Sequence, residues 1–243
     1  MDVPQHSLGS GQAVRHLTLD QAIEGSNPSS PAARALSRGS GSAAAIPSIR
    51  VDPGRIVILN GPPRAGKSSI AAVIQQTFDG IWMNLGVDVF ANHVTPEKVR
   101  PGIGLRPGEP DHPVSALVPS MYAALYDSIA AHARAGLNVV ADVGHYDRDV
   151  LADCASRLSG LAVVFVGVTC PIDELMRRRE ATWQQGEEVR PYVERWQRAI
   201  VTGVYDLEID TSKLSPEHSA QLIWDHFGGS STGKTAFQRL ARG

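Results

Sequence analysis

Cysteine, lysine and long apolar runs are all scarce in this chain of 243 residues. Its two cysteines, Cys154 and Cys170, are too few for a disulfide scaffold and lack the nearby partners that a zinc site needs, so reduced thiols are expected. The longest clean apolar run, Leu161 to Val168, falls far short of the roughly 20 residues that cross a bilayer. No basic segment followed by an apolar stretch marks a secretory signal. A surplus of positive charge is missing as well. The 23 Lys and Arg against 25 Asp and Glu leave a net charge of −2, whereas a domain that grips nucleic acid by its backbone carries a basic excess. Together these absences predict a cytoplasmic protein with neither nucleic acid nor membrane as a partner. Hydrophobic residues at 42% and charged residues at 20% are those of an ordinary globular protein.

Residues 1–50 contain no Phe, Trp or Tyr and are rich in Ser, Gly, Pro and Ala. Such a segment cannot bury enough apolar surface to offset the entropy of ordering it, and it is expected to be a disordered tail. A second explanation stays open. Gly25-Ser26-Asn27-Pro28 is what GGT-TCG-AAT-CC encodes, the T-arm consensus of a bacterial tRNA gene, so the natural start is expected either here or nearer Val51. From Arg55 onward apolar runs alternate with helical spacing. Strands are expected at Ile56–Leu59, Trp82–Val87, Asn138–Val143, Ala162–Val168 and Leu207–Ile209. Helices are expected over Lys67–Gln76, Ser120–Ala135, Asp149–Leu158, Pro171–Trp183, Tyr192–Val201 and Pro216–Phe227, with a Pro- and Gly-rich loop at residues 100–113. This alternation predicts an α/β domain over residues 51–228, a mostly parallel five-stranded sheet flanked by helices. Residues 229–243 are expected to be a second disordered tail.

The sharpest local signal is Gly61-Pro62-Pro63-Arg64-Ala65-Gly66-Lys67-Ser68, which fits G-x-x-x-x-G-K-[ST]. It directly follows an apolar strand and directly precedes a helix, the context a phosphate-cradling P-loop requires. Glycines let the backbone wrap closely round phosphates, while amide N–H groups and the helix N-terminus supply partial positive charge. Residues Gly61 to Ser69 are therefore expected to hold ATP, with Lys67 at the β- and γ-phosphates and Ser68 ligating Mg²⁺. The same spelling recurs at Gly228 and Gly233-Lys234-Thr235. There the preceding residues continue a helical pattern and only a short end follows, so no nucleotide site is expected.

Three further sets of residues carry chemistry. Asp88 sits just past the second expected strand, at the carboxyl end of the strand expected next to the phosphate loop. A carboxylate there can orient an alcohol and take its proton, or it can cap a helix. Asp142 ends the run Val139-Val140-Ala141, where it can lie near the metal or cap the following turn. Asp147 and Asp149 are expected as caps, and His145 and Tyr146 as lining of an acceptor pocket or as exposed loop. Arg177, Arg178 and Arg179 precede a polar stretch and Arg190 follows it. Three consecutive residues fan round a helix, so at most two can face a nucleotide. Arg179 and Arg190 are the expected lid cations over the transferring phosphoryl, a solvated basic face being the alternative.

These residues resemble the chloramphenicol phosphotransferase-like family of P-loop kinases. The likeness runs through Ile58-Leu59-Asn60-Gly61 into Ala65-Gly66-Lys67-Ser68, then Gly86-Val87-Asp88, Val139 to Val143, Val166 to Cys170, Arg179-Glu180, and Gly203-Val204-Tyr205-Asp206-Leu207-Glu208-Ile209-Asp210-Thr211. The resemblance implies a P-loop kinase fold and ATP-dependent phosphorylation of a hydroxyl on a small molecule, with Asp88 at the position of the family's catalytic base. It implies chloramphenicol or a related compound as acceptor and antibiotic resistance as the outcome. The chain departs from the family in carrying Ala141-Asp142 where two adjacent acids are frequent, and Val201 or Thr202 where a His is frequent. A kinase of nucleotides or nucleotide sugars of the toxin type, and an ATP-gated binding module without turnover, are the alternatives.

Overall fold

Ile56, Val57, Ile58 and Leu59 are consecutive, apolar and fully buried, and three of them are β-branched. Side chains that alternate across a strand can all be buried only if both faces are covered. In the computed structural model, which describes residues 52–96, 115–184, 186–201, 203–228 and 234–240, they lie in β1 (Arg55–Asn60), the central strand of a five-stranded sheet. The others are β2 (Trp82–Asn84), β3 (Asn138–Val143), β4 (Ala162–Thr169) and β5 (Leu207–Asp210), in the order β2-β3-β1-β4-β5 and all parallel. Parallel neighbours need crossovers, and these are the helices α1 (Lys67–Thr77), α2 (Val87–Val89, continued by a wider turn over Phe90–Val94), α3 (Val118–Arg134), α4 (Arg148–Arg157), α5 (Ile172–Trp183), α6 (Arg190–Ala199) and α7 (Pro216–Gly228), with α8 (Ala236–Leu240) following.

The sheet separates two apolar clusters. Ile56, Ile58, Val139, Ala141 and Phe165 face α3, α4 and α8; Val57, Leu59, Val140, Val164 and Val166 face α1, α5, α6 and α7. Cys154 and Cys170 are free and buried, one in each cluster, so the expected thiols are packing residues. The expected five-stranded parallel sheet flanked by helices is therefore present. Among the described residues no helix is long and apolar enough to cross a membrane. The expected tail at residues 1–50 and the loop at 100–113 lie outside the described residues.

Three expectations are corrected. The second strand stops at Asn84 rather than running to Val87, because Gly86 packs its backbone on Asp142, where a Cβ would come within 3.1 Å of the Asp142 backbone. Asp88 consequently sits on the helical turn α2. That strand is also not the neighbour of β1, since β3 lies between them.

The third correction concerns the C-terminus. Residues 236–240 form a helix rather than part of a loose tail, and Ala236 and Phe237 are buried against β4 and α4. The start of α8 explains the second Gly-Lys-Thr. Thr235 and Gln238 form a reciprocal cap: the Gln238 N–H donates to Thr235 Oγ1 (3.3 Å) and the Thr235 N–H donates to Gln238 Oε1 (3.1 Å). The Ala236 N–H donates to Asp206 Oδ1 (2.6 Å), whose other oxygen accepts from the Phe165 N–H (2.9 Å). Lys234 is exposed. Phe237→Ala is accordingly expected to lower unfolding free energy by about 3 kcal/mol, and Lys234→Ala to leave it within about 0.5 kcal/mol. Urea unfolding of the two variants decides this, and an unchanged Phe237→Ala midpoint would detach α8 from the core.

Candidate functional site

The carboxyl ends of β1, β3 and β5 open into one cavity of about 550 Å³, at the crevice where ligands of parallel α/β sheets bind. Its floor is the loop from β1 to α1. Gly66 adopts φ +93°, a left-handed conformation that costs glycine nothing, and it precedes the first turn of α1. Arg64 adopts φ +70° without that freedom, so its backbone is strained. Gly61, Pro63, Arg64, Gly66, Lys67, Ser68 and Ser69 line the cavity, while Pro62 and Ala65 are buried behind it.

Lys67 is 9% exposed, and its ammonium needs compensation at close range. It donates to the carbonyls of Gly61 (2.9 Å) and Pro62 (3.0 Å) and lies 3.4 Å from Asp142 Oδ1. Asp142 is placed by strand register: it pairs with Leu59, two residues before the loop begins. Its other oxygen accepts from the Ser68 hydroxyl at 2.5 Å. Asp142 thus faces the phosphate loop rather than capping a turn. A hydroxyl and a carboxylate side by side are a hard-oxygen pair of the kind Mg²⁺ takes from protein while keeping waters and phosphate oxygens. The helix cap of α4 is Asp147, whose Oδ1 accepts from the Asp149 N–H at 2.7 Å.

Basic groups collect on one side. Arg178 donates from Nη2 to the Thr211 carbonyl (2.8 Å), from Nη1 to Thr211 Oγ1 (3.1 Å) and the Arg64 carbonyl (3.3 Å), and from Nε to Glu174 (2.7 Å). Thr211 in turn donates to the Ala65 carbonyl (2.8 Å), so the end of β5 and helix α5 are both tied to the phosphate loop. Hydrogen bonds from the Arg177 and then the Arg178 guanidinium hold the Glu174 carboxyl down at about 2. Arg64 stacks on the indole of Trp183, 3.8 Å from its centre, and both line the cavity.

The lid expectation is corrected at this point. Arg178 lines the cavity; Arg179 and Arg190 do not. Arg179 is 3% exposed and lies over Trp183 at 4.7 Å and Trp196 at 5.4 Å. It follows Leu175 by four residues, so it shares the buried stripe of α5. Arg190 is engaged with Glu187 and, at 2.9 Å, with Asp173.

The other side of the cavity is apolar and aromatic. Asp88, exposed at the mouth, is followed by Phe90, Ala91 and Asn92; Val118, Met121, Tyr122 and Leu125 of α3 form a second wall, and Val143, Gly144 and Tyr146 a third. Tyr146 therefore lines the cavity as the sequence allowed. His145 does not; it is buried beneath.

Two groups missed by sequence reasoning organise this region. Asn60, fully buried, accepts the His145 N–H at Oδ1 (2.7 Å) and donates to the Val201 carbonyl (3.2 Å) and Tyr205 Oη (2.9 Å). Thr211 is the other, as described above. An Asn ending an apolar strand just before a phosphate loop was the available signal for the first, since a buried amide must find several partners.

Comparison with known proteins shows the family and the fold. The family model described as chloramphenicol phosphotransferase-like protein matches residues 54–228. Proteins of Mycobacterium tuberculosis strains H37Rv and CDC 1551, named as candidate O-phosphotransferases, are 30% identical over 185 residues, covering 68% of this chain and 78% of theirs. Among solved structures, the Deinococcus radiodurans tunicamycin resistance protein superposes with a TM-score of 0.53 at 18% identity, covering 72% of this chain and 96% of that one. The M. tuberculosis APS kinase in complex with AMPPNP and APS gives a TM-score of 0.53 at 14% identity, covering 73% and 99%. These likenesses establish the P-loop kinase fold.

Burial also has a measurable electrostatic signature. With no water around its ring, His145 is lowered from 6.5 to about 3. Between these values the unfolded chain binds a proton that the folded chain does not, so stability is lost as pH falls through the window, by at most about 1.4 kcal/mol per pH unit from this group. Urea unfolding of wild type and His145→Leu at about pH 7 and about pH 4.5 is expected to show the larger loss in wild type. Equal losses would mean that the ring is hydrated.

Proposed function

The chain belongs to the chloramphenicol phosphotransferase-like family, and from that premise we propose that it transfers the γ-phosphoryl group of MgATP to a hydroxyl of a small, uncharged, partly apolar alcohol. The observation that carries this reading is the shared cavity: a phosphate loop with a buried lysine and the carboxylate of Asp88 line the same 550 Å³ space. Chloramphenicol or a related compound is the acceptor to try first.

In this reading ATP lies along Gly61–Ser69 with Lys67 at its terminal phosphates. Ser68 and Asp142 would hold Mg²⁺, which would neutralise phosphate charge. The acceptor occupies the aromatic side, where Asp88 orients its hydroxyl. The hydroxyl oxygen forms a bond to the γ-phosphorus, the bond from that phosphorus to the bridging oxygen of ADP breaks, and the hydroxyl proton passes to Asp88. Lys67 and Arg178 offset the charge on the phosphates, with Arg64 beside them. Arg179 and Arg190 then serve to brace the helices around Arg178.

The distribution of charge supports an uncharged acceptor over a nucleotide or nucleotide sugar. Among the described residues, the cations lining the cavity are Arg64, Lys67 and Arg178, all on the phosphate-loop side. Acceptor-side walls of Phe90, Val118, Met121, Tyr122 and Leu125 suit an aromatic or aliphatic body. The names of the relatives fit a transfer to oxygen, and the tunicamycin resistance protein shares the fold.

Lys67→Ala is expected to abolish transfer from labelled ATP. Asp88→Asn is expected to keep ATP affinity and to lower single-turnover transfer by about 10²- to 10⁴-fold, because asparagine retains shape but cannot take the proton. A normal rate in Asp88→Asn would remove that carboxylate from the chemistry. ATP binding with no transfer to any neutral alcohol would favour a binding module instead.

A further inference from the structure

His145 is fully buried, lies one residue from each of two cavity-lining residues, and has no part in the phosphoryl transfer derived above. Its three polar attachments run in three directions. The backbone N–H donates to Asn60 Oδ1 at the foot of the phosphate loop (2.7 Å), and the backbone carbonyl accepts from the Val201 N–H (2.9 Å). The side chain departs from this pattern. Its Nε2 is 2.8 Å from the hydroxyl of Tyr126, which belongs to α3. Tyr126 is also fully buried, and α3 presents Met121, Tyr122 and Leu125 to the cavity.

The backbone bonds survive any substitution at residue 145, whereas the bond to Tyr126 depends on the ring. That bond links two walls of the acceptor side, the Gly144–Tyr146 segment and α3. Neither partner can trade the other for water without opening the core, and the Cys154 thiol is the other polar group within reach of the phenol. The rings around it, Tyr122 at 6.5 Å and Phe165 at 6.2 Å from His145, hold the imidazole from the sides. We propose that His145 is a positioning residue for the acceptor: through Tyr126 it fixes the distance between α3 and the loop after β3, and so the width of the pocket in which the alcohol is held. The assignment rests on the reading of that side of the cavity as the acceptor site. Among the described residues His145 meets the foot of the phosphate loop through its backbone N–H on Asn60, so a side-chain change is expected to leave the nucleotide side alone.

The test uses the full chain with His145→Leu, Tyr126→Phe, the double variant and His145→Gln, whose amide can still meet the phenol. ATP is the donor and chloramphenicol the probe alcohol. Each of His145→Leu and Tyr126→Phe is expected to raise the KM for the alcohol about tenfold while the KM for ATP stays within about twofold. The double variant is expected to be no worse than either single one, and His145→Gln to recover most of the loss. Amide exchange over residues 118–126 and 144–146, measured without alcohol, is expected to speed up in His145→Leu and Tyr126→Phe while the exchange of α1 does not change. Additive effects, equal rises in both KM values, or unchanged exchange in α3 would overturn the proposal. If wild type transfers nothing to chloramphenicol, the choice of acceptor has failed, and the exchange measurement still decides whether the bond fixes α3.

Discussion

The charge of a buried lysine, Lys67, sets the terms for everything around it. Taking such a charge out of water costs several kcal/mol unless oxygens replace the lost hydration. The loop supplies two carbonyls, from Gly61 and Pro62, and β3 supplies Asp142. That supply dictates the sheet. Asp142 can reach Lys67 only if β3 lies directly beside β1, in the register that pairs Leu59 with Asp142. The same carboxylate meets Ser68, and the backbone of Asp142 is the surface on which Gly86 packs to launch Asp88. One compensated charge thus organises the phosphate loop, the Ser68–Asp142 pair and the placement of Asp88.

The loop is steadied from three sides by side chains of distant elements. Asn60 fastens it to the segment at Val201 and Tyr205 and to the backbone of His145. Thr211 and Arg178 fasten it to β5 and α5. Arg64 reaches over to Trp183, and the stack continues through Arg179 to Trp196 on α6. Guanidiniums layered on indoles keep α5 and α6 in contact while part of the charge stays near the cavity. The segment from Tyr205 to Thr211, which carries much of the family likeness, is explained by these attachments: Tyr205 covers Gly167 and bonds Asn60, Asp206 joins Phe165 to α8, and Thr211 closes on Ala65.

Local patterns in the sequence revealed the strand, loop and helix around Gly61–Ser68, because periodicity and the motif act within a few residues of one another. The alternation of elements likewise announced a parallel sheet. Strand order was hidden, since pairing β3 beside β1 depends on contacts far apart in the chain, and so Asp88 was expected on the wrong neighbour. The choice between Arg178 and Arg179 turned on helical phase. Counting from Leu175 puts Arg179 on the buried stripe, whereas the run of three arginines by itself does not distinguish their phases. At the C-terminus, Thr235 and Gln238 three residues apart spelled a helix start, yet the resemblance to a phosphate loop drew the eye to Lys234. Asn60 and His145 could not be ranked from sequence because a buried polar residue declares itself only through its partners.

The central claim is direct transfer within one cavity, from ATP on the phosphate loop to an alcohol facing Asp88. Its most direct measurement is the stereochemistry at phosphorus, using ATP made chiral at the γ-position with oxygen isotopes and the alcohol that accepts the group. A single in-line attack by the alcohol predicts inversion in the phosphate ester. Retention would require a phosphorylated protein group between donor and acceptor, and would contradict the account.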